Sequence, residues 1–147
     1  MRAEKKATVT VRCAFCATLN KVDVGRAAAQ PKCAKCEKPI LLDRPLKVEE
    51  RDFDQTVLQA SVPVLVDFYA DWCAPCRMVA PFVDELAREH VGSVLVAKVD
   101  TDQAQQVSLR YQIRGIPTLI LFKDGKEAGR SVGFEPEKLR TLMAGAA

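Results

Sequence analysis

The chain has 147 residues, 48% of them hydrophobic and 28% charged, with a net charge of +3, which is room for one ordinary domain or for a compact domain with a small appendage. No stretch of about 18 apolar residues occurs, so no membrane-spanning helix is expected, and the charged opening Met1-Arg2-Ala3-Glu4-Lys5-Lys6 leads into no apolar run of the kind an export signal needs. A chain kept where it is made belongs in a reducing cytoplasm, where cysteines serve as metal ligands or catalysts rather than as lasting disulfides.

Charge and cysteines divide the chain. Residues 1–47 carry 11 Lys+Arg against 4 Asp+Glu, whereas residues 48–147 carry 11 against 15. A basic segment of this kind can face nucleic acid, or it can offset the negative charge of four thiolates around one zinc ion. The same segment holds Cys13-x2-Cys16 and Cys33-x2-Cys36, joined by 16 residues. Each CxxC turns two sulfurs toward one ion, and zinc takes four tetrahedral ligands with none left over. Two disulfides or four free thiols are the alternatives; a reducing compartment favours zinc. A piece of about 45 residues rarely folds without such help. Within it, Ala27-Ala28-Ala29-Gln30-Pro31 reads as a loop, and Val9, Val11, Leu19, Val22, Ile40, Leu41 and Leu42 are the candidates for a small core. Pro39, Asp43 and Pro45 punctuate its end, which places a zinc ribbon-like domain at residues 1–46 and a second domain at 47–147.

From there strand and helix signals alternate. Residues 46–50 suit a short edge strand, and Asp52 or Asp54 can cap a short helix carrying Phe53, Val57 and Leu58. Residues 62–69 are a nearly continuous apolar run, as a strand covered on both faces requires. Met78, Val79, Phe82, Leu86 and Ala87 recur at helical spacing, with Pro81 expected to kink that helix. A strand at 94–99, a helix at 104–111, a hairpin of 118–123 and 127–133 turning at Asp124-Gly125, and a helix at 136–143 complete the order. The fold class is α/β, a mixed central sheet with helices on both sides.

Between the apolar strand and the following helix stands Trp72-Cys73-Ala74-Pro75-Cys76. A CxxC can equally be half of a zinc knuckle, but no cysteine follows Cys76 and the one histidine is His90. The strand–helix setting decides for redox chemistry. Cys73 would sit where unpaired backbone N–H groups and the helix dipole favour a negative sulfur, and a thiolate is what attacks a disulfide. Pro75 suits a first helical turn, since it has no N–H to lose there.

Val66-Asp67-Phe68-Tyr69-Ala70-Asp71-Trp72-Cys73-Ala74-Pro75-Cys76-Arg77-Met78, then Pro81, Arg114-Gly115-Ile116-Pro117-Thr118, Gly125 and Gly133 resemble the thioredoxin family over about residues 48–144. The four-cysteine extension is similar to the zinc ribbon of the thioredoxin 2 subtype. The resemblance implies a thioredoxin fold, with Cys73 as attacking and Cys76 as resolving thiol of a redox-active disulfide. It makes Asp67 a buried acid/base beneath them, whose pKa desolvation should raise, and Lys98 the lysine that approaches it. It implies a cis bond at Ile116-Pro117 and an apolar docking patch of Trp72, Ile116, Pro117 and Gly133. The activity implied is reduction of disulfides in client proteins, with an NADPH-dependent thioredoxin reductase returning the electrons and no organic cofactor. Ala74 stands where the family most often has Gly, inside the dipeptide that tunes the redox potential, and Tyr69 where Trp is common.

Two other classes compete. A zinc-ribbon adaptor would use the thioredoxin fold as scaffold for a nucleic acid or protein, but Phe15 is the ribbon's one aromatic, too few for a base-stacking platform. An oxidase or isomerase of secretory folding would need export and usually a histidine inside the CxxC.

Overall fold

Residues 7–146 are described by the structure, a computed structural model; the opening hexapeptide, where no export signal is expected, lies outside the described residues. Strands β1 (Thr8–Arg12) and β2 (Leu19–Asp23) pair antiparallel, with Val9 opposite Val22 and Val11 opposite Asn20. Side chains alternate along a strand, so Val9, Val11, Asn20 and Val22 turn inward while Leu19 turns out. Leu41, between inward-facing Ile40 and Leu42, is likewise exposed, and both leucines leave the expected core. Val24 is buried instead. Of the stretch expected as a loop, the three alanines end a short 3-10 segment, Val24–Ala29, kinked at Arg26, while Gln30 and Pro31 lie beyond it; Asp23 caps its start, its carboxylate accepting the Gly25 N–H at 2.9 Å.

The edge strand β3 is only Leu46–Lys47. A 3-10 turn (Glu50–Asp52) and a π-helical turn (Asp54–Leu58) follow, and neither Asp52 nor Asp54 caps them. Asp52 is drawn into a buried ion pair with Arg12, and Asp54 pairs with Arg110 at 2.7 Å. Here tertiary pairing overrides the local capping preference.

Strand β4 (Val64–Tyr69) leads to α1 (Ala74–Glu89), which contains Pro81. Strand β5 (Leu95–Asp100), α2 (Gln105–Arg110), β6 (Thr118–Lys123), β7 (Lys126–Val132) and α3 (Pro136–Ala146) follow. The β6–β7 turn takes positive φ at Asp124 and Gly125, and a Cβ at Gly125 would approach the Leu58 carbonyl to 3.0 Å. The sheet order is β3-β5-β4-β6-β7. The first three are parallel, and β6 and β7 run antiparallel to their neighbours.

Alternation along β4 sorts the core. Val64, Val66 and Phe68 share a cluster with Phe53, Val57 and the inward residues of the N-terminal hairpin. Leu65 joins Val79, Val83 and Leu86 of α1 and Leu139 and Met143 of α3 on the other face. Residues 7–46 are thus joined to the rest by a continuous apolar cluster. Polar bonds edge the seam: Arg12 grips Asp52 through Nε (2.8 Å) and Nη2 (2.7 Å), and the Thr56 hydroxyl donates to the Thr10 carbonyl at 2.6 Å.

Candidate functional site

Past Tyr69 the chain leaves the sheet and turns into α1, with Cys73 at its N-cap in extended conformation and Pro75 in the first turn. The Cys73 Sγ accepts the Cys76 N–H at 3.1 Å, and the two cysteines are joined as a disulfide with their Cα atoms 5.3 Å apart. Both are nearly buried, in a small apolar cluster with Ala70, Tyr69 and Ile116. The Cys73 Sγ lies 3.8 Å from the Ile116 carbonyl oxygen. The Ile116-Pro117 bond is cis, and the Pro117 carbonyl accepts the Gly133 N–H at 2.8 Å. This places Ile116 beside the pair, with Gly133 bonded to the next residue, Pro117.

Trp72 is 69% exposed, and its Nε1 donates to Asp102 Oδ2 at 2.9 Å. Asp102 carries no sequence signal for this role, because it lies 30 residues away on the loop after β5. Val132 and Phe134 flank Gly133 and are both more than half exposed. Phe134 meets Phe82 of α1 edge-to-face at 5.5 Å.

Asp67 shares the sheet face of Leu65, beneath α1. It is 1% exposed, and its Oδ1 has no hydrogen-bond partner. Burial pushes its carboxyl up to about 6, with the Lys98 charge opposing and the Asp84 charge adding to the rise. Lys98 stands level with Asp67 on β5, but its ammonium lies over the Tyr69 ring, 4.5 Å from the centroid.

At the other end of the chain, Cys13, Cys16, Cys33 and Cys36 converge. Their sulfurs lie within 4.8 Å of one another, with Cys13–Cys36 at 3.6 Å and Cys16–Cys33 at 3.5 Å. The two loops repeat one geometry. In each, the first cysteine's carbonyl accepts an N–H four residues on, at 3.0 Å, and its sulfur accepts one two residues on, at 3.4 Å. The residue after each second cysteine turns left-handed, Ala17 at φ 64° and Glu37 at φ 63°. Buried Asn20, which the sequence did not single out, ties the loops: its side chain donates to the Thr18 carbonyl and accepts the Ala34 N–H. Hydrogen bonds from the Cys36 N–H and the Asn20 side chain hold the Cys33 thiol down, at about 6. Four thiolates about 2.3 Å from one ion would sit about 3.8 Å apart in a tetrahedron, so the donor set and its spacing fit a metal ion.

The sequence profile of the thioredoxin family matches residues 44–145. The chain belongs to the thioredoxin family. It is 37% identical to "Thioredoxin M-type, chloroplastic" of Zea mays over 125 residues, 85% of this chain and 75% of the maize protein. It is 52% identical to "Thioredoxin 1" of Nostoc sp. over 91 residues (62% of this chain, 85% of that one), and 48% identical to "Thioredoxin" of Pseudomonas aeruginosa over 88 residues (60% and 82%). As a thioredoxin-family member with a bonded CxxC at a helix start, the chain is a protein-disulfide oxidoreductase. No helix among the described residues is long and apolar enough to cross a membrane.

Proposed function

We propose that this thioredoxin-family protein reduces disulfides in client proteins through Cys73 and Cys76. The carrying observation is the Cys73 sulfur held at the α1 N-terminus by the Cys76 N–H, beside the cis Ile116-Pro117 bond. In the reduced protein the Cys73 thiolate attacks one client sulfur; the client S–S bond breaks, and its other sulfur leaves as a thiolate that takes a proton. Cys76, deprotonated with Asp67 as acceptor, then attacks the Cys73 sulfur of the mixed disulfide. The second client sulfur leaves, and the Cys73–Cys76 bond closes. Two electrons pass to the client, and an NADPH-dependent thioredoxin reductase returns them.

Asp67 suits the proton step because its carboxyl titrates near neutral pH, with Lys98 as the nearby cation. Trp72, Ile116, Pro117 and Gly133 are the docking patch, where an extended client segment can pair along the Ile116 backbone. Residues 1–46 form a zinc ribbon of the thioredoxin 2 type and residues 47–147 the thioredoxin domain. Cys13, Cys16, Cys33 and Cys36 would hold the zinc in a closed, structural site that offers no open coordination position. A cytoplasmic setting accords with cysteines used as ligands and catalysts.

The adaptor reading draws on the basic charge of residues 1–47 and on exposed Phe15, which carries the Lys38 ammonium 4.7 Å from its ring centroid. Insulin reduction by dithiothreitol separates the two. Wild type should accelerate precipitation of the insulin B chain, and Cys73→Ser should fall to the uncatalysed rate. Equal rates for the two proteins would turn the assignment toward the adaptor.

A further inference from the structure

Tyr69 follows Asp67 by two residues on β4, so both side chains emerge on the α1 face of the sheet. Across on β5, Lys98 is level with Asp67 and Asp100 with Tyr69. The tyrosine touches two things at once: it packs on the Ala70, Cys73 and Cys76 cluster, and its ring carries the Lys98 ammonium at 4.5 Å. Lys98 also borders an open crevice lined by Asp43, Arg44, Asp84 and Arg88. A flexible four-carbon stem leaves a lysine many rotamers, and the crevice gives the Lys98 side chain open space away from the sheet. The electron-rich face of a tyrosine attracts an ammonium, and here it keeps that ammonium at the sheet while the Asp67 Oδ1 stays unpaired.

We propose that Tyr69 is a positioning residue whose ring holds the Lys98 ammonium beside the buried Asp67 carboxyl, next to the Cys73–Cys76 pair. This rests on the reading of Asp67 as the proton acceptor for Cys76. A cation held near the carboxylate, but not on it, eases its ionisation without locking it into an ion pair, so a proton can be both taken and released. The charged groups acting on Asp67 are Lys98 from β5 and Asp84 from α1, whereas β6 presents apolar Leu119 at that register position. Asp100 and Asp71 act on Tyr69.

The test is a carbon-13 NMR titration of the Asp67 carboxyl in the oxidised protein. Tyr69→Phe keeps the ring and should titrate with wild type. Tyr69→Leu and Lys98→Met should each move the Asp67 midpoint upward by about half a unit to one unit. The double variant should match Lys98→Met alone, since the ring acts through the lysine. A wild-type midpoint in Tyr69→Leu overturns the proposal, and so does a Tyr69→Leu shift that persists undiminished in the Lys98→Met background. Should Tyr69→Leu fail to fold, Tyr69→Met supplies a flexible apolar chain without a ring face and is judged by the same criteria. The pH profile of insulin turnover separates the two readings: midpoints that move as expected while the profile stays fixed uphold the positioning and sink Asp67 as proton acceptor.

Discussion

Three CxxC segments in one chain adopt two architectures, and the backbone after the second cysteine makes the difference. In the N-terminal loops the next residue turns left-handed, the chain doubles back, and sulfurs from two loops face one point. At Cys73–Cys76 the next residue continues into α1, so the sulfurs face each other, packed beside Ile116. Both architectures aim a backbone N–H at the first sulfur, at 3.4 Å in the loops and 3.1 Å at the helix. The N–H donor therefore does not tell a ligand from a nucleophile; what the second sulfur can reach does. The two sites also differ in their relation to stability. The four-cysteine cluster is continuous with the apolar core, whereas the strand that leads to the redox pair buries a carboxyl, Asp67, that opposes folding when charged.

The largest effect is expected from breaking the cluster. Structural zinc contributes on the order of 10 kcal/mol to the folding of small domains, more than a hairpin of five-residue strands can replace. Replacing Cys13 and Cys33 by serine should abolish binding of one zinc per chain, measured by metal analysis. It should also remove hydrogen-exchange protection at Val9, Val11 and Val22. Full protection with no metal bound would mean that the apolar seam alone holds these residues, and the contrast between the sites would lose one side.

On the redox side the expected sign is opposite. Asp67 has a folded-state pKa of about 6, above the ordinary value of 3.8. The native state therefore binds more protons than the unfolded chain between about pH 4 and 6, and stability falls as pH rises through that window. The gap amounts to about 3 kcal/mol. Urea unfolding of the oxidised protein at pH 4 and pH 8 should show this loss in wild type and its absence in Asp67→Asn. The same pH dependence in both proteins would remove Asp67 as its source.

Arg12 joins the two regions. Its partner Asp52 is 4% exposed, and the Arg12 guanidinium holds that carboxyl below the usual carboxylate range. Arg12→Met leaves the buried Asp52 carboxylate without its partner and should destabilise the protein, though by less than breaking a fully buried pair, because the Arg12 side chain is 24% exposed. Because the folded Asp52 pKa is depressed, the pair's contribution is present above about pH 4 and fades as pH falls through the lowered value. The deficit of Arg12→Met in urea unfolding should shrink accordingly in acid. A deficit independent of pH would point to lost packing of the arginine stem instead.

Much of this was legible in the residues. The apolar run of β4, the α1 spacing and the β6–β7 turn each have one local physical reading, from which the sheet follows, whereas the CxxC spacings are read only with their setting: a strand before and a helix after Cys73, a second CxxC within reach of the first in the N-terminal loops. What stayed hidden depends on partners distant in sequence. Asp52 reads as a cap until Arg12, 40 residues earlier, is placed beside it. Asp102 reads as a loop acid until Trp72 reaches it. Asn20 reads as a polar strand residue until the second loop supplies the Ala34 N–H. For Leu19 the reason is simpler: alternation settles which of its neighbours turn inward only once the pairing with β1 is known. Leu41 lies outside any strand, exposed between buried Ile40 and Leu42.

The smallest effect concerns Glu50, whose Oε1 accepts the N–H groups of Gln106 (2.6 Å) and Val107 (3.0 Å) at the start of α2. Glu50 belongs to the 3-10 turn that also contains Asp52, so one short turn serves the seam and the helix after the Asp102 loop. A carboxylate at a helix N-terminus contributes about 0.5–1 kcal/mol at partly exposed positions, less as salt screens it. Glu50→Gln keeps the length and an acceptor but removes the charge, so it should lower the melting temperature by about 2–4 °C in low salt and by less in 1 M salt. An equal drop at both salt concentrations would show that hydrogen-bond geometry, not charge, is what Glu50 supplies. Trp72 fluorescence unchanged in Glu50→Gln would confine the effect to α2, and a shift in it would show that the turn reaches Trp72 through the Asp102 loop.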